Sequence, residues 1–386
     1  MISIALSMLF RDRSKFLFII MGVTLASLVI TWQGSIFLGI MSRTIGTITD
    51  MGDPDIWVMD PKVQFIDDTK PLASTALYRV RGVEGVAWAS PLYKGQTRAR
   101  LPNGQFQNCN IFGLEDSTLT AGPPAMVEGR IEDLRRADAV IVDAVGAATR
   151  LAKPPTEPGG PREPLRVGDV MELNDRRAVV VGISSNTRTF QSQPIIYTTY
   201  SRATTYVPRE RKLLSFILVK AAPGQDIAEL CDRLERLTGL AAYTRDEFKG
   251  RTINYYIQNT GIPINFGIAV ALGFIIGTVI TGFMFLSFTV DNLRYFGTLK
   301  AMGASDARLM AMILLQAGVI GSIGYGLGVG IASFMGNAAR GSPLAFFMPW
   351  QLLFVAGAAT IVICLAAAML AMRRVIALEP AIVFKG

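Results

Sequence analysis

The chain has 386 residues, 51% of them hydrophobic and only 18% charged, with 38 Lys and Arg against 30 Asp and Glu. That balance excludes whole-chain disorder and falls below the roughly 25% charged residues of soluble domains. With 0 His and 3 Cys, imidazole catalysis, histidine metal sites, four-cysteine zinc sites and a fully paired disulfide framework are excluded as well.

What remains is a membrane protein with a folded soluble part. Four stretches carry no Asp, Glu, Lys or Arg: 16–42, 252–290, 309–339 and 341–372. A span needs about 20 apolar residues. Transmembrane helices are therefore predicted at 16–42, 264–290, 308–336 and 350–372. The first is too long for a signal-peptide core and reads as an uncleaved anchor. Arg11, Arg13 and Lys15 precede it; Arg294, Lys300 and Arg308 lie between the second and third; Arg373, Arg374 and Lys385 follow the fourth. Cytosolic flanks gather Lys and Arg, which sets both ends and the loop 291–307 on the cytosolic side. Most of the surplus of positive charge belongs to those flanks. No basic cluster is interleaved with aromatics, so a nucleic-acid partner is not expected. No span holds an internal charge, which argues against a polar solute crossing between them.

Residues 43–251 then form an extracytoplasmic domain of mixed α/β type. The segment 54–60 reads as a strand, and 97–112 as a hairpin turning at Pro102-Asn103-Gly104. A second hairpin pairs 170–173 with 178–183 around Asn174-Asp175. A strand at 213–220 precedes a helix at 225–237, with Ile227, Leu230, Leu234 and Leu237 on one face. Lys153 to Pro164 is rich in Pro, Gly and charge and reads as an exposed loop. Cys109 and Cys231 are either a disulfide or two free buried thiols, the second being the simpler reading. No catalytic constellation stands out in this domain, and no metal or cofactor is expected on this chain.

The loop 291–307 predicts a short helix at the membrane surface, with Leu293, Phe296, Leu299 (or Lys300) and Met302 on one face. Gly303 suits the residue just past its end, and Ser305 with Asp306 suits the start of the third span. In that span Gly324/Gly328 and Gly326/Gly330 have the spacing that lets helix backbones approach closely.

The run Arg294 to Ser305, RYFGTLKAMGAS, resembles the coupling segment of FtsX/MacB-type permeases, the type VII class of ABC transporters. The tail RRVIALEPAIVFKG (373–386), the opening ALSMLFRDRSKFLFIIMGVTLA (5–26) and RVGDVMEL…AVVVGIS (166–184) are similar to other parts of that family. The stretch 207–226 fits its DevC-like export branch. The fold class implied is four transmembrane helices with a large mixed α/β extracytoplasmic domain inserted between the first and second.

The resemblance further implies a permease in the bacterial inner membrane that is not itself an ATPase, which agrees with the lack of a Gly-x-x-x-x-Gly-Lys-Ser/Thr loop. ATP and Mg would sit on a separate cytosolic ABC ATPase. That ATPase would dock at Arg294, Tyr295, Phe296, Gly297, Thr298, Leu299, Lys300, Ala301, Met302 and Gly303. It also implies a homodimer of permease subunits, a hydrophobic or amphiphilic cargo, and, in the DevC-like branch, a periplasmic adaptor and an outer-membrane channel. The alternative within the family is a relay that regulates a cell-wall hydrolase or sensor kinase without transport.

Overall fold

The computed structural model describes residues 2–101, 104–155, 160, 162–207, 214–339 and 342–376. The Pro102-Asn103 pair of the first predicted hairpin, the middle of the loop at 156–159, position 161, the stretch 208–213 and the tail 377–386 lie outside them. The helices are α1 (Ile2–Arg11), α2 (Arg13–Thr44), α3 (Gly46–Asp50), α4 (Thr75–Arg81), α5 (Ala144–Ala148), α6 (Tyr200–Ala203), α7 (Ile227–Thr238), α8 (Arg245–Asn259), α9 (Ile262–Asp291), α10 (Leu293–Ala301), α11 (Asp306–Ala338) and α12 (Trp350–Ile376). The strands are β1 (Ile56–Met59), β2 (Val86–Arg100), β3 (Phe106–Leu114), β4 (Ala125–Glu128), β5 (Ala139–Asp143), β6 (Val170–Leu173), β7 (Arg176–Ser185), β8 (Ile195–Thr199), β9 (Phe216–Ala221) and β10 (Ala241–Thr244). Two compact units result: Met1–Ile40 with Gly261–Gly386, and Met41–Thr260.

The unit Met41–Thr260 is built on a mixed sheet of order β10-β1-β9-β2-β3-β8-β5-β7-β4, with β6 beside β2 and β7. Strand period decides its layers. Ile56, Val58, Ile217 and Val219 face one way, into a cluster with Val80 of α4 and Leu230 and Leu234 of α7. Trp57, Met59, Phe216 and Leu218 face the other way, onto Phe248 of α8. Trp57 meets the rings of Phe216 and Phe248 at 5.5 Å each. Covered on both faces, β1 is buried throughout, which explains its unbroken apolar run. α7 starts where the Asp226 carboxylate accepts from the Ala228 and Glu229 amides (2.8 and 3.3 Å). It stops at Gly239, whose φ of 70° is left-handed.

The hairpin of β6 and β7 turns at Asn174 (φ 47°) and Asp175 (φ 62°), the two left-handed residues that a tight two-residue turn requires. β2 and β3 pair from Tyr93↔Gly113 to Arg100↔Phe106. Cys109 and Cys231 are free thiols buried in separate clusters, and burial pushes each up to about 12.

In the other unit α2, α9, α11 and α12 hold 32, 30, 33 and 27 residues. Each is long and apolar enough to cross a membrane. At about 1.5 Å per residue the shortest reaches roughly 40 Å, against a hydrocarbon core of about 30 Å. Small residues set the close approaches. A Cβ on Gly324 or Gly328 of α11 would lie 2.6 Å from Val23 Cγ1 or 2.7 Å from Ser27 Cβ of α2. Gly326 and Gly330, by contrast, have nothing within 4 Å, so they form an open side of α11. A second seam, not anticipated from the sequence, joins α2 to α9: Cβ atoms on Gly273 and Gly277 would meet Val29 at 2.6 Å and Ala26 at 2.3 Å. Its signal was present as Gly-x-x-x-Gly spacing in Gly273 to Gly277.

The segment before the first span is itself helical. α1 buries Ala5, Met8 and Leu9, one face at i, i+3 and i+4, and leaves Ile2, Ile4 and Phe10 exposed. The fully buried Gln316 of α11 donates Nε2 to Ala5 O at 2.9 Å. Between α1 and α2, the Asp12 carboxylate accepts from Lys15 N (3.2 Å) and Ser14 Oγ (3.0 Å). The backbone bond from Lys15, aided by the Ser14 hydroxyl and the Lys15 charge, holds this carboxyl below its usual range.

Candidate functional site

The loop after α9 is the segment in which charge, apolar spacing and turn chemistry converge. α9 ends at Asn292, whose Nδ2 donates to Phe288 O (2.8 Å), and α10 starts at once. Its amides at Tyr295 and Phe296 bond back to Asn292 O (3.0 and 3.2 Å). At the far end Gly303 has φ 92°. Ala304 N donates to Leu299 O (3.0 Å) and Gly303 N to Lys300 O (3.1 Å), the paired bonds of a Schellman stop. Gly303 is thus required for its backbone conformation.

Nine residues of helix between two firm turns present two faces. Phe296 (0% exposed) and Gly297 are buried, with Leu293 and Leu299 packed on the same cluster as Leu9, Ile19, Phe288, Ile313 and Ala371. Lys300 belongs to this seated side. Its Nζ pairs with Asp306 Oδ1 of α11 at 2.9 Å and donates to Ile376 O of α12 at 3.3 Å. One ammonium thus ties α10 to the start of one long helix and the end of another. Arg294, Tyr295, Thr298, Ala301 and Met302 form the opposite, exposed face at i, i+1, i+4, i+7 and i+8. Tyr295 is 45% and Met302 71% exposed.

The expectation that Met302 shares the apolar face is corrected. Met302 lies nine residues on from Leu293, two and a half turns, so it comes out on the opposite side of the helix, at its cap. Ser305 stands at the position before α11, but its hydroxyl makes no capping bond. Its carbonyl instead takes the Arg308 and Leu309 amides (2.9 and 3.2 Å), and Asp306 supplies the favourable charge.

Three neighbours were not anticipated. The Arg11 guanidinium lies 5.8 Å from the centre of the Tyr295 ring. Lys15 pairs with Asp291, joining the start of α2 to the end of α9. Asp306 receives Lys300. Oppositely charged flanks on successive helices were visible in the sequence, but their pairing was not. Among the described residues, no group of His, Cys, Asp and Glu could hold a metal ion.

A family model described as the FtsX-like permease C-terminal region matches residues 267–380, and one described as the MacB-like periplasmic core domain matches residues 16–237. An uncharacterized ABC transporter permease of Mycobacterium tuberculosis is 24% identical over 318 residues, 82% of this chain and 80% of that one. One of Mycobacterium bovis is 23% identical over the same length, with the same coverage. Among solved structures, the periplasmic region of MacB from Actinobacillus actinomycetemcomitans aligns with TM-score 0.37 and 18% identity, over 55% of this chain and 96% of that one. The extracellular domain of the noncanonic ABC-type transporter YknZ from Gram-positive bacteria aligns with TM-score 0.34 and 13% identity, over 50% and 99%. The chain therefore belongs to the ABC transporter permeases that join a MacB-like periplasmic core domain to an FtsX-like permease C-terminal region.

Proposed function

We propose that this chain is the membrane subunit of an ATP-driven exporter and works by passing movement from a separate cytosolic ATPase to the domain Met41–Thr260. The observation that carries this reading is α10, a short helix seated by Phe296 and Lys300 that offers Tyr295 and Met302 outward. A partner gripping that face pulls directly on α9, α11 and α12, because α10 has no slack at either end. ATP and Mg belong to the partner, and the ligand drives movement only by binding one of two states more tightly. The subunit pairs with a second copy in the bacterial inner membrane, both termini in the cytosol and Met41–Thr260 outside. The cargo is hydrophobic or amphiphilic and is taken up from the outer side, in keeping with spans that carry no internal charge. An adaptor and an outer-membrane channel complete the path in a two-membrane cell.

Two measurements test it. The double change Tyr295→Glu and Met302→Glu is expected to weaken capture of the ATPase by more than about 100-fold, as loss of central anchors does. Both residues are exposed, so thermal stability should move by less than about 0.5 kcal/mol. Undiminished ATPase capture by that variant removes the site. An epitope tag inserted within Lys153–Pro164 is expected to be labelled on intact cells. The ends of that loop are clasped by Lys153 N to Glu163 O (2.8 Å) and Glu163 N to Lys153 O (3.2 Å), so an insertion leaves the fold in place. Labelling only after lysis of the inner membrane reverses the topology.

A further inference from the structure

A polar cavity of about 440 Å³ opens in the unit Met41–Thr260, beside the point where β2 leaves β9 and takes up β3. Its walls include Asp67, Asp68 and Lys70 from the loop after β1, Lys94 and Gln96 of β2, and Asn110 of β3. The volume falls in the range of small-molecule sites.

Two side chains in it are unusual. Lys94 is only 6% exposed, and its ammonium pairs with Asp67. An ammonium has three protons to donate, so this pairing leaves two for the cavity. Asn110 is 7% exposed. Its backbone N–H is used, donating to Pro194 O (2.8 Å), but among the described residues its side-chain amide has no hydrogen-bond partner. The amide atoms are open to the cavity and not sealed from solvent, so they are free to meet a ligand there.

Hydrogen bonds and a ring stack tie together the frame around these groups. Ser215 Oγ accepts from Lys94 N and donates to Lys94 O, both at 3.0 Å. The other oxygen of Asp67 accepts from the Tyr256 hydroxyl of α8 (3.3 Å). Phe65 of the same loop stacks on Tyr255 with centroids 4.1 Å apart. The cavity wall and α8 are therefore one body, and the chain continues from α8 into α9.

Charge selects the ligand. Lys70 and Lys94 balance Asp67 and Asp68, with Lys70 on Asp68 at 2.7 Å. An anion would meet two carboxylates, a cation two ammoniums, and an apolar molecule two ion pairs. A molecule with one charge of each sign avoids all three conflicts.

We propose that this cavity binds a small zwitterion, a free α-amino acid or a dipeptide. Its carboxylate sits on Lys94 Nζ and the Asn110 amide N–H, and its ammonium on Asp67 and Asp68. The site is independent of the ATPase reading above, since every group in it lies within Met41–Thr260.

The test is calorimetric titration of the full chain in lipid nanodiscs with L-alanyl-L-alanine and with L-glutamine; acetate, methylamine and glucose serve as controls. At least one zwitterion is expected to bind saturably below about 10 mM, the upper end of millimolar affinity. Asn110→Ala is expected to weaken it about tenfold, the worth of one hydrogen bond to a charged group. Asn110→Asp, which sets a carboxylate against the ligand's own, is expected to abolish binding. Gln96→Ala, an exposed wall position, is the folding-neutral companion and is expected to weaken binding by a smaller factor. No binding by either zwitterion, equal binding by all three variants, or acetate or glucose binding as tightly would overturn the proposal.

Discussion

Replacing Gly328 by Leu is expected to part α11 from α2 and lower the stability of the membrane unit by about 1–3 kcal/mol or more, the range of overpacked cores. A Cβ there would lie 2.7 Å from Ser27 Cβ and 2.8 Å from the Leu28 backbone nitrogen. A flexible side-chain tip could swing away from such a contact; a helix backbone cannot. Gly324 stands under the same constraint, 2.6 Å from Val23 Cγ1 and 3.2 Å from Thr24 N. The control is on the same helix. Gly326→Leu and Gly330→Leu enter open space, so packing charges them nothing, and their helix propensity improves by up to about 1 kcal/mol. Detergent-resistant unfolding of the four variants reads the difference. Equal midpoints for Gly328→Leu and Gly330→Leu would show that the seam does not hold these helices.

The second large effect concerns Phe296. Truncation to Ala is expected to cost about 3–5 kcal/mol, as for a fully buried aromatic. Phe296→Asp is expected to be worse, because it places a carboxylate in the buried apolar cluster that the ring fills. ATPase capture is then lost together with the fold of the membrane unit. That outcome separates Phe296 from Tyr295, one residue away, where capture is lost and the midpoint stays. Spectroscopic unfolding beside a pull-down distinguishes the two. A Phe296→Ala variant with an unchanged midpoint would remove the ring from its seating role.

Much of this was legible beforehand, for identifiable reasons. The four long helices follow from runs without charge, and the turn at Asn174-Asp175 from the few residues that tolerate left-handed backbone. Gly303 announces the end of α10 in the same way. Other elements were hidden. β5 and β8 are buried on every residue, so their five-residue runs carry no alternation to tell strand from helix. Met302 was misplaced because repeated steps of three drift around a 3.6-residue turn, and the third step from Leu293 reaches the opposite side. Within α10, spacing separated apolar from polar positions but not the buried side from the exposed one. Both sides hold an aromatic ring, and only the packing shows that Phe296 is buried while Tyr295 is exposed. The cavity at Lys94 lay beyond reach altogether, since its walls come from four segments between Asp67 and Ser215.

β2 runs for 15 residues, first along β9, with one register shift between Val86 and Trp88, and then along β3. The two halves of the sheet therefore share a beam instead of meeting at a joint. A load entering one half crosses to the other through covalent backbone, and the hydrogen-bond rows on either side resist it in shear, all at once. The sheet's slowest-exchanging amides should lie along the middle of that strand, from Leu92 to Ala99.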